Sequence, residues 1–245
     1  ITLEAATTTV NTLLQSNTLG AAVVQTAGGV LAANGIMIAA NGDALTIGGA
    51  AGDGALQSAT ASGTLVLNNS NSATLLTINA PITDNGGASA LATVGTLRLN
   101  GVNTYTGATG VGGTLTLDGA AQLGGGTYAG AISIATAGKL VVNSSANQIL
   151  SGVISGDGSF TQSGLGTTTL SGANTYTGAT TVSGGILVAG HAGAFGGTST
   201  AAIVFESGST GTVRWNGNNI TVVGLNTNAT PGTPVIESGS NAPGT

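Results

Sequence analysis

Leu170-Ser171-Gly172-Ala173-Asn174-Thr175-Tyr176-Thr177-Gly178-Ala179-Thr180-Thr181-Val182-Ser183-Gly184-Gly185-Ile186-Leu187-Val188 decides the fold, because most of it occurs twice in the chain. Asn100-Gly101-Val102-Asn103-Thr104-Tyr105-Thr106-Gly107-Ala108-Thr109 matches Ser171 to Thr180 at one constant offset, the one that carries Gly101 onto Gly172. The match continues at that offset from Val111 to Val182, Gly113 to Gly184, Leu115 to Ile186, Leu117 to Val188 and Gly125 to Gly196. Upstream, after a slip of one residue, Ile82 aligns with Ile154 and Gly86 with Gly158. The duplicated blocks lie near 95–126 and 166–197. Long-period self-similarity built from short strands marks a solenoid, in which each unit buries its apolar face against its neighbours.

The shorter pattern inside these blocks recurs along the whole chain. Gly63-Thr64-Leu65-Val66-Leu67-Asn68, Gly95-Thr96-Leu97-Arg98-Leu99-Asn100, Gly113-Thr114-Leu115-Thr116-Leu117-Asp118, Ala131-Ile132-Ser133-Ile134 and Gly185-Ile186-Leu187-Val188 alternate aliphatic with small or polar residues. Period two places the aliphatics on one face of a half-buried strand. Helix is disfavoured by 44 glycines and by a background of Thr, Ser, Asn and Val without apolar spacing of three and four. Thr7 to Gln15 is the one stretch that reads as either helix or strand. The fold class expected is therefore all-β: a right-handed parallel β-helix, continuous over residues 1–245. At roughly 20 residues per coil it has about twelve coils, and at about 4.8 Å per coil it is a rod on the order of 60 Å long. A β-sandwich fits less well, because its thicker core needs aromatic anchors and this chain is 3% aromatic.

Composition removes several functional classes. Three residues are basic (Arg98, Lys139, Arg214) and eight acidic, so 4% of the chain is charged, against about 25% in ordinary domains. Three scattered cations make neither a phosphate-binding patch nor a polybasic membrane anchor, so nucleic acid is excluded as a partner. Without cysteine there are no disulfides and no thiolate ligands. Mean hydropathy is +0.39, yet Gly, Thr, Ser and Asn interrupt every apolar run before membrane-spanning length, so no membrane insertion is expected of this segment. Ile1 with Glu4 nearby shows no basic region and no apolar leader, which reads as a processed or internal segment.

Leu170 to Val188, with its copy at Leu99 to Leu117, closely resembles the passenger-associated transport repeat of bacterial autotransporters. Flanks such as Ile149-Leu150-Ser151-Gly152-Val153-Ile154-Ser155-Gly156-Asp157-Gly158-Ser159-Phe160 are similar to that family's surroundings. The resemblance implies a parallel β-helix exported through an outer membrane and displayed or released outside, among adhesins, matrix components and toxins. Autotransporters end in a transmembrane β-barrel, and nothing after Gly208 reads that way. Val223 to Thr245 instead reads as further solenoid, so the expectation is a stretch of a longer rod.

Each candidate for chemistry also has a structural reading. Tyr105 and Tyr176 hold equivalent places and fit either a glycan-stacking ladder or phenols packed at coil corners and bonded to nearby backbone. Asp53 and Asp157 each sit in Gly-Asp-Gly, but calcium-binding solenoids need an aspartate in successive nonapeptides, and one carboxylate does not fill a calcium shell. His191 is the only histidine and stands where the first copy has Ala120, without the nucleophile and third group of a triad. Gly124-Gly125-Gly126 and Gly138-Lys139 lack the spacing and following helix of a phosphate loop, and read as turns. The sequons at Asn143 and Asn228 are those chance supplies in an Asn-, Ser- and Thr-rich chain. No residue is assigned to catalysis, to a cofactor or to a metal.

Three classes follow. The first is a non-catalytic extracellular structural or adhesive protein, a stalk or passenger segment on the bacterial surface. Its partners are a second copy (end to end or side by side), a host surface or a matrix glycan, and a filament or biofilm-matrix fibre assembled through exposed coil ends is its variant. The second is a polysaccharide-active β-helix enzyme, for which Asp43, Asp53, Asp84, Asp118 and Asp157 would have to cluster. The third is an ice-binding face, for which Thr114-Leu115-Thr116 and Thr167-Thr168-Thr169 would have to recur at coil spacing.

Overall fold

The computed structural model describes residues 1–3, 6–197 and 202–239; Glu4 and the last residues, 240–245, lie outside them. Every strand pairing is parallel, and the described residues contain no helix beyond one 3₁₀ turn at Gly124–Gly126. Thr7–Gln15 is a strand. The β-branched and Leu residues that also read as a helix gain more by joining a sheet than from a local helix.

The chain winds as a parallel β-solenoid with three faces. Face one runs from Thr7–Gln15 and Val30–Ile38 through Thr64–Asn69, Ala90–Val94, Thr109–Val111 and Ile132–Ile134 to Ile154–Ser155. Face two is a ten-stranded sheet from Ala22–Val24 to Gly224–Thr227, one strand per coil. Face three begins with Ala55–Gln57 and Ile82–Thr83, passes through the Val102–Gln122 bridge, and continues as a six-stranded sheet from Thr127–Tyr128 to Val235–Glu237. Val30–Ile38 marks the change from two faces to three. Val30–Ala32 pairs with Ala55–Gln57, whereas Gly35–Ile38 pairs with Val66–Asn69, and the chain between them makes the new corner.

Ten strands on face two correct the expected twelve coils. The coil averages about 23 residues, and its length varies: the coil that carries Leu97 to its partner Leu115 is much shorter than the one that carries Leu45 to its partner Leu76. Strand length varies too, from nine residues at Thr7–Gln15 to two at Ile154–Ser155 on face one, and the corners differ in length as well. Nine spacings of about 4.8 Å give a rod on the order of 43 Å, shorter than anticipated.

Alternation places the aliphatics inward as expected. Leu76, Leu97, Leu115 and Leu140 stack in register on face two, as do Ile78, Leu99, Leu117 and Val142, all at most 1% exposed. The stack then changes character. Inward Gln162 is fully buried, donates through Nε2 to the carbonyls of Gly164 and Gly166, and accepts the Thr168 hydroxyl at Oε1. A buried amide is tolerated when its hydrogen bonds are made.

The two copies of the repeat do not lie on the same faces. Ile82, Thr96–Leu99, Thr109–Val111 and Thr114–Gly119 lie on faces three, two, one and two. Their counterparts Ile154, Thr167–Leu170, Thr180–Val182 and Ile186–Ala189 lie on faces one, three, two and three. Counting along face one from Thr109 through Ile132 and Ile154 to Thr175, the duplicate is three coils further on, plus one face. The repeat is therefore turned about the solenoid axis by one face between copies.

Candidate functional site

The Asn-Thr-Tyr-Thr-Gly core is the most chemically dense element of the chain; its Asn and Tyr point into the wall, and its threonines are exposed. Asn103 is fully buried; its Oδ1 accepts the Ile82 N–H of the preceding coil at 3.0 Å, and its Nδ2 donates to the Gly101 carbonyl and to Gln122 of the following coil. Asn174 repeats this with Ile154 at 2.8 Å and the Ala194 carbonyl at 2.6 Å. One side chain thus ties three successive coils where the strand ladder is missing.

Tyr105 and Tyr176 are 0% exposed, which removes the stacking-platform reading: a sugar cannot reach either ring. The alternative is corrected in detail, since each phenol lies in the core and meets a hydroxyl four residues on. Tyr105 lies 2.7 Å from the Thr109 Oγ1, and Tyr176 2.5 Å from the Thr180 Oγ1. Thr109 also bonds the Tyr128 phenol, which donates to the Gly107 carbonyl, and the Tyr105 and Tyr128 rings meet edge-on at 5.5 Å. Burial pushes all three phenols up from their ordinary range. Gly107 and Gly178 complete the core: a Cβ on either would stand 2.4 Å from the Ser89 carbonyl or 2.3 Å from that of Gly158.

The carboxylates proposed for chemistry are dispersed and engaged. Asp84 accepts the Ser89 N–H and both the N–H and hydroxyl of Thr106 in the next coil. Burial pushes its carboxyl up, but those bonds outweigh burial and hold it below its ordinary value. Asp157 does similar work for the second copy, accepting the hydroxyls of Thr136 and Thr177 from the coils on either side. Asp53 accepts the N–H groups of Gly49 and Gly28; the Gly49 bond is the main cause of its lowered pKa, against a smaller effect of burial. Asp43 accepts the Gly20 N–H, and Asp118 pairs with Arg98 and accepts from Asn143. Among the described residues no three of His, Cys, Asp and Glu come together as a metal-binding group.

His191 is exposed, and its Nδ1 accepts the Gly193 N–H, which closes a turn. Gly124–Gly126 is the 3₁₀ turn, followed by the strand Thr127–Tyr128, and Lys139 opens the strand Lys139–Ser144. The Thr-x-Thr pairs do not form a ladder, because Thr114 and Thr116 are flanked in register by Thr96 and Arg98 on one side and by Lys139 and Val141 on the other. Thr168 faces the core. Sequence reasoning missed a side-chain ladder at one corner of face two. There Asn79 donates to the Gly48 carbonyl, Asn100 to Asn79, Asn143 to Asp118 and Ser163 to Asn143. The ladder breaks between Asn100 and Asp118, where the Asn100 Oδ1 is buried without a hydrogen-bond partner. The recurrence of Asn after an aliphatic strand at Asn79, Asn100 and Asn143 was the available signal. An open groove of about 400 Å³ crosses face one beside Ala92, Gly110 and Ser133, with Asp157 at one end.

These features define a class: a parallel β-solenoid whose repeated motif is an internal coil-to-coil fastening. The passenger-associated-transport-repeat family model matches residues 94–117 and 160–189, the two copies themselves. Repeats of this family set in a parallel β-solenoid support an autotransporter passenger domain. No curated protein and no solved structure matches the chain.

Proposed function

We propose that this chain is a non-catalytic structural and adhesive stretch of an autotransporter passenger, held outside the cell as a stiff stalk that presents its faces to a host surface, a matrix glycan or further copies of itself. The observation that carries the reading is where the polar side chains go. The repeat's Asn and Tyr are buried, and the five carboxylates an enzyme would need bond to turns and neighbouring coils rather than converging on one cleft. Acid–base catalysis needs paired groups within reach of one substrate. The one-face turn between the two copies supports the same reading, because motifs on different faces build no common binding ladder.

The test is limited proteolysis of the folded chain. All its trypsin sites are on paired strands: Arg98 in Thr96–Leu99, Lys139 in Lys139–Ser144 and Arg214 in Thr212–Arg214. Cleavage there requires local unfolding of the sheet. The result in favour is an intact band after prolonged incubation, together with particles of rod shape by negative-stain microscopy. Rapid cutting at these residues, or breakdown of a polysaccharide by the purified chain, overturns the proposal.

A further inference from the structure

Face two carries an uneven distribution of charge that the fold does not need. Thr96, Thr114, Lys139 and Ser159 form one outward column in register across four coils, with Arg98 and Thr116 in the column beside it. The hydroxyls of Thr96, Thr114, Thr116 and Ser159 and the ammonium of Lys139 have no hydrogen-bond or ion-pair partner among the described residues. Arg98 meets Asp118 through one nitrogen at 3.1 Å and its side chain is 44% exposed, so other guanidinium N–H groups still face solvent. In a chain with three cations, two therefore stand on one sheet face among unengaged hydroxyls. Asp118 is the carboxylate paired with Arg98. Asp157 lies two residues before Ser159, the register partner of Lys139, and accepts the hydroxyls of Thr136 and Thr177. Asp43 precedes the strand two below that of Arg98, and Glu206 follows the strand three beyond that of Lys139.

We infer that face two is a binding surface for an extended polysaccharide bearing carboxylates on alternate sugars, lying obliquely across its strands. Arg98 and Lys139 lie two strands apart and in adjacent columns, about 12 Å from each other at the spacings of parallel strands and of alternate residues along a strand. That is close to the length of two sugar units in an extended chain, so alternate carboxylates meet the two cations while Thr and Ser hydroxyls hydrogen-bond the sugars between. The sparseness of the cations fits this partner and excludes a nucleic acid, whose duplex presents a charge about every 1.7 Å. Charge-assisted hydrogen bonds from Arg and Lys to carboxylate supply the selectivity over neutral glycans.

This inference rests on the exposed-solenoid reading and is tested separately from it. Purified chain is passed over immobilised hyaluronan, which has a carboxylate on alternate sugars, and over neutral dextran. The proposal requires binding to hyaluronan and not to dextran, weakened by on the order of tenfold in Lys139→Gln and in Arg98→Gln. It also requires loss of binding at about 1 M salt, where the screening length is near 3 Å. Thermal melts of both variants at the wild-type temperature exclude unfolding as the cause. No binding to hyaluronan, equal binding to dextran, or variants that bind as wild type does each overturn it. A chain that resists trypsin as a rod yet fails here keeps the structural reading and loses only this one.

Discussion

Asn174 shows how one residue holds a coil. Replacing it with Ala leaves the Ile154 N–H and the Ala194 carbonyl buried without partners, and each orphaned group costs about 1–3 kcal/mol. Asn174→Ala is expected to lower unfolding free energy by about 3 kcal/mol in urea melts, whereas Asn228→Ala in the exposed last coil stays within about 0.5 kcal/mol. The phenols give an independent test through pH. Their folded pKa values are raised, so their contribution is complete below the ordinary tyrosine value of 10.0 and is lost as pH rises above it, when the unfolded chain ionises first. Absorbance at the tyrosinate band should stay flat through pH 10 and then rise in one step together with loss of β-sheet circular dichroism. A gradual rise at pH 10 with the fold intact would contradict the burial of these rings. The Asn, Tyr and Gly of this core were legible as a motif, but their direction was not: an Asn-Thr-Tyr-Thr-Gly run reads the same whether its phenol faces a sugar or the core.

At the scale of the element, the corner ladder and the aspartate clasps make opposite predictions. Asp118 interrupts a row of amides, because a carboxylate cannot donate to the Asn100 Oδ1 one register step away. Asp118→Asn supplies that donor and keeps the bond to Asn143 in amide form, while giving up the exposed pair with Arg98, a pair of the kind worth about 1 kcal/mol or less. The variant is expected to be as stable as wild type or up to about 1 kcal/mol more stable by urea melt, and a clear loss would show that the ladder carries no weight. Asp84 behaves in the other sense. Its lowered pKa means that its contribution is present above the ordinary carboxylate value of 3.8 and disappears as pH falls below it. Asp84→Asn should therefore flatten the acid side of the stability–pH curve while leaving the alkaline side unchanged. The strands themselves were readable, since alternation of Thr with Leu, Val or Ile needs no long-range information. The clasps were not, because Asp84 and Thr106 are 22 residues apart and meet only once coil length is set.

Over the whole molecule, the core is a narrow column with little redundancy. Phe160 is fully buried on face two, where a Phe to Ala change typically costs about 3–5 kcal/mol. Phe160→Ala is expected to open the adjoining coils to trypsin at Lys139 of the neighbouring strand well before Arg98, two strands further off, is cut. Simultaneous cutting at both would mean that the solenoid unfolds as one cooperative unit rather than coil by coil.

The amino-acid sequence by itself determined the parallel solenoid, its half-buried strands, the duplicated repeat and the scarcity of charge. These are set by local alternation and composition, which act over a few residues. The tertiary structure alone decided that there are ten strands on face two, that the tyrosines are internal, and that the second copy is turned by one face. The reason is geometric: where a residue points around the axis depends on the summed length of every corner before it. Corners that differ as much as those between Leu97 and Leu115 and those between Leu45 and Leu76 leave no periodic trace in the sequence.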